Sequence, residues 1–213
     1  MSNSYLEILG EKYKPSKRMH GYLPLYARYF ENRREDVKAF LEIGLQTNKS
    51  INMWAEYFPN AKIYGVDIDP ANKEFETDRI KVFIGDQGDE SFLDSLPNDL
   101  DIIVEDGSHH IEHMILNIEK LVPKLKDGGI YACEDMEAAT AGRKPVLDYL
   151  KKLCNNVNYW PDGYRGADWP LLNTFDDSAT WWDKNIIGVS FYRYITFIQK
   201  GKNPEQGEAH LRI

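Results

Sequence analysis

Two short, acid-ended apolar runs joined by one helical stretch constrain this chain more than any other feature. Within residues 100–137, Asp101-Ile-Ile-Val104 is apolar and β-branched, long enough for a buried strand and too short for a helix. Ile111, Met114, Ile115, Ile118, Leu121 and Val122 then recur at helical spacing, which predicts a helix with one apolar face. Asp127-Gly128-Gly129 reads as its end, and Ile130-Tyr-Ala-Cys133 as a second strand. Glu105-Asp106 closes the first strand and Glu134-Asp135 the second. In a βαβ unit the strands are parallel, so both acidic ends fall on one sheet edge. Ligands of open α/β sheets bind at that edge.

Several carboxylates crowded together need a compensating cation to stay ionised. Their oxygens suit hard ions such as Mg²⁺, Mn²⁺ or Ca²⁺. One reading is therefore a metal site of Asp106, Glu134 and Asp135, with His109 beside it as a base. Acids at strand ends also cap the helices that follow, and the pattern alone leaves both readings open. His109 and His113 have the i, i+4 spacing of a zinc pair. His113 and Asn117, however, fall on the polar face of the expected helix, which favours a solvated His113. A two-histidine, one-carboxylate iron site is also open chemically, although carboxylates outnumber the histidines expected to reach the site.

At 213 residues the chain is expected to be one α/β domain with room for a full core. Its net charge of −8 argues against nucleic acid and anionic membrane as partners. No apolar run has the length of a signal-peptide core or a membrane span. Two cysteines, Cys133 and Cys154, make no disulfide framework, and the expectation is a reduced, cytoplasmic protein.

In chain order, residues 1–20 read as a loose polar arm. Gly21–Phe30 reads as a helix with Pro24 in its first turn, carrying Tyr22, Tyr26, Tyr29 and Phe30 on one stripe. That stripe suits packing against a sheet. His20, just before it, is a surface residue or a pocket wall. Val37–Ile43 is the first strand, followed by a Gly44–Ser50 turn and a helix through Tyr57. Such a turn is where a nucleotide-like ligand meets backbone N–H groups. It holds one glycine where a dinucleotide fingerprint has three, and Asn48, which tolerates the left-handed conformation, stands where another glycine is expected. Asp67, ending the strand from Ala61, lies at the spacing of an acid that binds ribose hydroxyls. Asp86 and Gln87 follow the Ile80–Ile84 strand and could meet an adenine edge. Asp89 is read as a cap for the next helix.

Residues 142–153 read as a helix. The aromatic-rich stretch 155–185, with Trp160, Tyr164, Trp169, Trp181 and Trp182, reads as an insertion or lid that stacks on sugars, packs in the core or makes an oligomer contact. Ile186–Phe191 and Tyr194–Lys200 are two strands joined at Tyr192-Arg193, an antiparallel pair at the end of the sheet.

Five βα units and a terminal hairpin resemble the Rossmann-like, mostly parallel fold of class I S-adenosylmethionine-dependent methyltransferases. LEIG at 41–44, GVDID at 65–69, GDQ at 85–87, EDGSHH at 105–110 and ED at 134–135 together resemble the metal-dependent sugar O-methyltransferases of the macrocin and mycinamicin type and the cephalosporin hydroxylase-like proteins. The resemblance runs from about Arg18 to Gly201. It implies Mg²⁺ (or Mn²⁺) on Asp106, Glu134 and Asp135, and His109 as general base. It also implies S-adenosylmethionine against Gly44, Asn48, Ser50, Asp67, Asp86 and Gln87. The expected partner is a small-molecule or glycan acceptor, and a homo-oligomer is compatible with the family. Alternatives on this fold are an Fe(II)-dependent hydroxylase, a non-catalytic cofactor-binding subunit, and a methyltransferase of aromatic diols.

Overall fold

The computed structural model describes residues 3–136, 144–159 and 177–203. Seven strands form one sheet: β1 Ala39–Ile43, β2 Lys62–Asp67, β3 Ile80–Ile84, β4 Leu100–Glu105, β5 Leu125–Cys133, β6 Ile186–Tyr192 and β7 Ile195–Lys200. Their order is β3-β2-β1-β4-β5-β7-β6. The first five pair in parallel, whereas β7 runs antiparallel to both β5 and β6. The expected doubly wound sheet and terminal hairpin are therefore present. The hairpin turns one residue later than expected, at Arg193-Tyr194, where Tyr194 takes a positive φ of 66°.

Alternation along each strand sends successive side chains to opposite faces. Phe40, Ile102, Val104, Ile130 and Ala132 enter one core, covered by the helices α1 Tyr5–Tyr13, α3 Leu23–Phe30 and α4 Asn48–Tyr57. Leu41, Ile103, Tyr131 and Cys133 enter the other, covered by α5 Glu90–Ser95, α6 Ile111–Leu121 and α7 Lys144–Val157. Asp89 caps α5 as expected, accepting from the N–H groups of Ser91 at 2.8 Å and Phe92 at 3.3 Å. No helix among the described residues is long and apolar enough to cross a membrane.

The N-terminal segment corrects the sequence reading. Instead of a loose arm, residues 5–13 form α1 and Ser16–Met19 form the short helix α2. Ser4 and Glu7 make a reciprocal capping box that starts α1, and Leu6 and Leu9, on one helical stripe, are buried. The end of α6 also differs. The helix stops at Leu121 and Pro123 sits in a 3₁₀ turn, while Asp127-Gly128-Gly129 lies inside β5 as a break in register opposite β4. Asn117, expected on a polar face, is fully buried with both amide atoms unpartnered. Of the aromatic-rich stretch, residues 160–176 lie outside the described residues. At its end α8, Trp181–Asn185, sets Trp181 edge-on to Trp182 with ring centroids 5.1 Å apart.

Candidate active site

A cavity of about 830 Å³ opens at the carboxyl ends of the parallel strands, a volume suited to a nucleoside-sized ligand. Its floor begins at the turn after β1. Gly44 has φ +85°, and a Cβ there would stand 2.0 Å from the carbonyl oxygen of Asp106. Only glycine allows the ends of β1 and β4 to approach this closely. Asp67, at the end of β2, closes the same turn: its Oδ2 accepts from the N–H groups of Leu45 at 2.8 Å and Gln46 at 3.2 Å. The left-handed residue of the turn is Gln46, with φ 47°. Asn48 is instead the first residue of α4, and it is exposed and absent from the cavity lining. Ser50 lines the cavity and donates to Glu42 Oε1 at 2.5 Å.

Asp86 and Gln87 reach the cavity from the loop after β3. Asp86 accepts from the N–H of Gly88 at 2.8 Å. Gln87 is buried and clamps two loops, donating to Glu105 Oε1 at 3.0 Å and accepting from the N–H of Ser108 at 2.7 Å. Its amide therefore serves the protein's own loops, a role the sequence reading did not foresee.

The acidic strand ends separate by pleat. Glu105 turns to the face shared with Cys133, whose thiol donates to Glu105 Oε2 at 3.3 Å. Asp106 and Asp135 line the cavity. His109 Nε2 stands 3.4 Å from Asp135 Oδ2 and 3.9 Å from Asp106 Oδ1. These three residues each offer a ligand atom within 4.8 Å of the others. Glu134 differs from its neighbours. It is fully buried outside the cavity lining, with Oε1 accepting from the Tyr26 hydroxyl and 3.2 Å from Lys17 Nζ. Its Oε2 has no partner. Pleat explains the split, since a residue following Cys133 on the opposite face meets α3.

His113 pairs through Nδ1 with the Ser108 hydroxyl at 2.9 Å and stacks on His110, with ring centroids 5.2 Å apart. Neither joins the group of Asp106, His109 and Asp135. His20 does face the cavity, with Nδ1 3.5 Å from Asp135 Oδ1. Backbone conformation marks the same place. Of six described non-glycine residues with positive φ, four line the cavity: Lys14, Gln46, His109 and Asp135. Such conformations persist where surrounding structure holds them, and they gather at functional sites.

Four residues of this centre escaped the sequence reading. Lys17 on α2 is fully buried, with Nζ 2.7 Å from Asp106 Oδ2 and 3.1 Å from Glu42 Oε1, in addition to Glu134. Burial alone would lower its pKa, but Glu134, Glu42 and Asp106 outweigh that and hold it well above the ordinary lysine range. Glu42 also accepts from Trp54 Nε1 at 3.2 Å. Tyr22 donates to Asp135 Oδ1 at 2.8 Å, and Tyr26 donates to Glu134. Burial, reinforced by the neighbouring acids, pushes both phenols up, so they remain donors. The signals were present in part. Tyr22 and Tyr26 share a helical stripe, and Glu42 interrupts an apolar strand, but nothing local distinguishes Lys17.

No protein-family model matches the chain. Mycinamicin VI 2''-O-methyltransferase of Micromonospora griseorubida is 31% identical over 221 residues, which is 89% of this chain and 50% of that protein. The 3'-O-methyltransferase of Streptomyces olivaceus that acts on 8-demethyl-8-(2-methoxy-alpha-L-rhamnosyl)-tetracenomycin-C is 30% identical, over 87% of this chain and 50% of its own length. Among solved structures, the MycE methyltransferase in complex with Mg, SAH and mycinamycin VI superposes with a TM-score of 0.79 at 29% identity, covering 93% of this chain and 54% of that one. The chain thus spans about half the length of the curated relatives it matches. By its strand order and by likeness along about nine-tenths of its length, it has the class I S-adenosylmethionine-dependent methyltransferase fold and resembles the sugar O-methyltransferases of the mycinamicin and macrocin type.

Proposed function

We propose that this chain transfers a methyl group from S-adenosylmethionine to a hydroxyl of a sugar, with Mg²⁺ (or Mn²⁺) held by Asp106, Glu134 and Asp135 and with His109 as general base. The observation that carries this reading is the meeting of His109 with Asp106 and Asp135 beside a nucleoside-sized cavity. The donor set fits a hard divalent ion: two carboxylates reach the cavity, and the buried Glu134 keeps one oxygen without a partner. Burial pushes the carboxyls of Glu42 and Glu134 up, and Lys17 pulls both back toward the ionised form, which a further cation beside them would also favour.

When bound, the ion would lower the pKa of an acceptor hydroxyl, and S-adenosylmethionine would supply an electrophilic methyl group. The remaining work falls to side chains of this chain. His109 Nδ1 is buried without a partner and Nε2 faces Asp135, so the ring has one nitrogen at the acids from which to exchange a proton. Asp135 would hold that imidazole in orientation, and Tyr22 in turn fixes Asp135. Asp67 shapes the Gly44 turn and keeps further lone pairs for ribose hydroxyls. Ser50 and Asp86 complete the proposed cofactor wall. Each relative compared above acts on a sugar hydroxyl of a glycosylated natural product by its name, which supports a glycan or glycoside acceptor for this chain.

Thermal unfolding with and without S-adenosylhomocysteine, each in Mg²⁺ or EDTA, tests the reading. A ligand at about 100 times its Kd adds about 2.7 kcal/mol, a rise of roughly 5–10 °C for a chain of this size. We expect a shift with the nucleoside and a further one with Mg²⁺. A midpoint unmoved under every condition would reject the cofactor assignment. Methyl transfer to a panel of sugars and catechols then separates the acceptor classes.

A further inference from the structure

Lys17 is a charged group of this centre to which the reaction gives no part. Its ammonium is fully buried and stands 2.7 Å from Asp106 Oδ2, 3.1 Å from Glu42 Oε1 and 3.2 Å from Glu134 Oε1. Three carboxylate oxygens converging on one point is the arrangement of a cation site, and the point is held by an amine of the chain itself. Each carboxylate gives Lys17 one oxygen only. The second oxygens of Glu42 and Glu134 are buried and unpartnered, and Oδ1 of Asp106 faces His109. Asp106, with one oxygen on Lys17 and the other facing His109, is placed as a carboxylate shared between two cations would be.

We infer that Lys17 is the resident second cation of this centre, filling the place of a second divalent ion so that the centre takes one ion instead of two. For the first ion this rests on the metal-assisted reading above; the seat of Lys17 does not. A dissociable second ion would leave as its concentration fell, whereas a lysine rooted in α2 cannot. Lys17 is a positioning residue, because full burial keeps it from substrate.

The test is a count of bound Mn²⁺ in the full chain and in Lys17→Ala, by the loss of the free-ion electron paramagnetic resonance signal and by equilibrium dialysis. We expect one ion in the parent and two in the variant, since truncation leaves three oxygens converging on open space. A purely structural role for Lys17 would not raise the count. Zero ions in the parent and one in the variant would uphold the assignment of Lys17 while rejecting the metal reading of Asp106, Glu134 and Asp135. A variant count equal to or below that of the parent overturns the inference, as does a parent that already binds two. Should Lys17→Ala fold only with Mn²⁺ present, the ion has replaced the ammonium as expected. Failure to fold at millimolar Mn²⁺ overturns it.

Discussion

His109 and Tyr57 illustrate how single side chains carry separable properties here. His109 sits in a left-handed backbone conformation with φ 56°, which aims its ring between Asp106 and Asp135. His109→Ala should lower turnover by about 10²- to 10⁴-fold with S-adenosylhomocysteine affinity nearly intact. Single-turnover assays and calorimetry check this, and unchanged turnover would remove the base assignment. Tyr57 is remote from catalysis. Its hydroxyl donates to Glu31 at 2.8 Å, and burial, followed by the Glu31 carboxylate, raises its pKa. Stability from a raised group is complete below the unfolded tyrosine value of about 10 and is lost as pH climbs through the folded value. Tyr57→Phe should therefore cost about 0.5–1.5 kcal/mol at pH 7, a difference that narrows above about pH 10 in urea melts. A constant difference across that range would contradict it. At this scale the sequence was legible where a residue ends a strand. Asp67, Asp106, His109 and Asp135 stand where strand ends put them. Asn48 misled because a turn fixes its left-handed residue by closure, and here Gln46 and Gly44 meet that need. Lys17 was invisible because its partners are distant in sequence, the acid it bonds most closely lying 89 residues away.

Among elements, the turn joining β1 to α4 concentrates the most constraint. Gly44 permits its positive φ and the close pass of the Asp106 carbonyl. Gly44→Ala would force β1 and β4 apart at the cavity floor. We expect a loss of at least about 1–3 kcal/mol, together with impaired nucleoside binding, measurable by chemical denaturation and calorimetry. Wild-type values for both would show that the turn relaxes freely. Helices of the parallel half were readable because each buries one regular face, and its strands because both their faces are buried, which leaves short apolar runs. The start of α1 was missed, because the polar composition of residues 1–20 masked the capping box that Ser4 and Glu7 spell. The irregular end of α6 was not readable, because Asp127-Gly128-Gly129 serves equally as a helix stop or as a strand bulge.

On the scale of the whole molecule, the N-terminal segment is part of the centre and not an appendage. α1 packs into the aromatic core, α2 delivers Lys17, and α3 delivers Tyr26, with Tyr22 at its N-cap. Removal of residues 1–20 should abolish cooperative unfolding or lower the thermal midpoint by more than 10 °C, at roughly 2–4 °C per kcal/mol. A truncated chain as stable as the parent would show these contacts to be dispensable. The interlock also bears on synthesis. Tyr26 is made 108 residues before Glu134, and Tyr22 is made 113 residues before Asp135. At about 5–20 residues per second, a ribosome needs roughly 5–20 s to bring those acids out after the tyrosines. Throughout that interval the two phenols await acids not yet translated, and Lys17 has Glu42 but not Glu134, so this helical segment is among the last to lock.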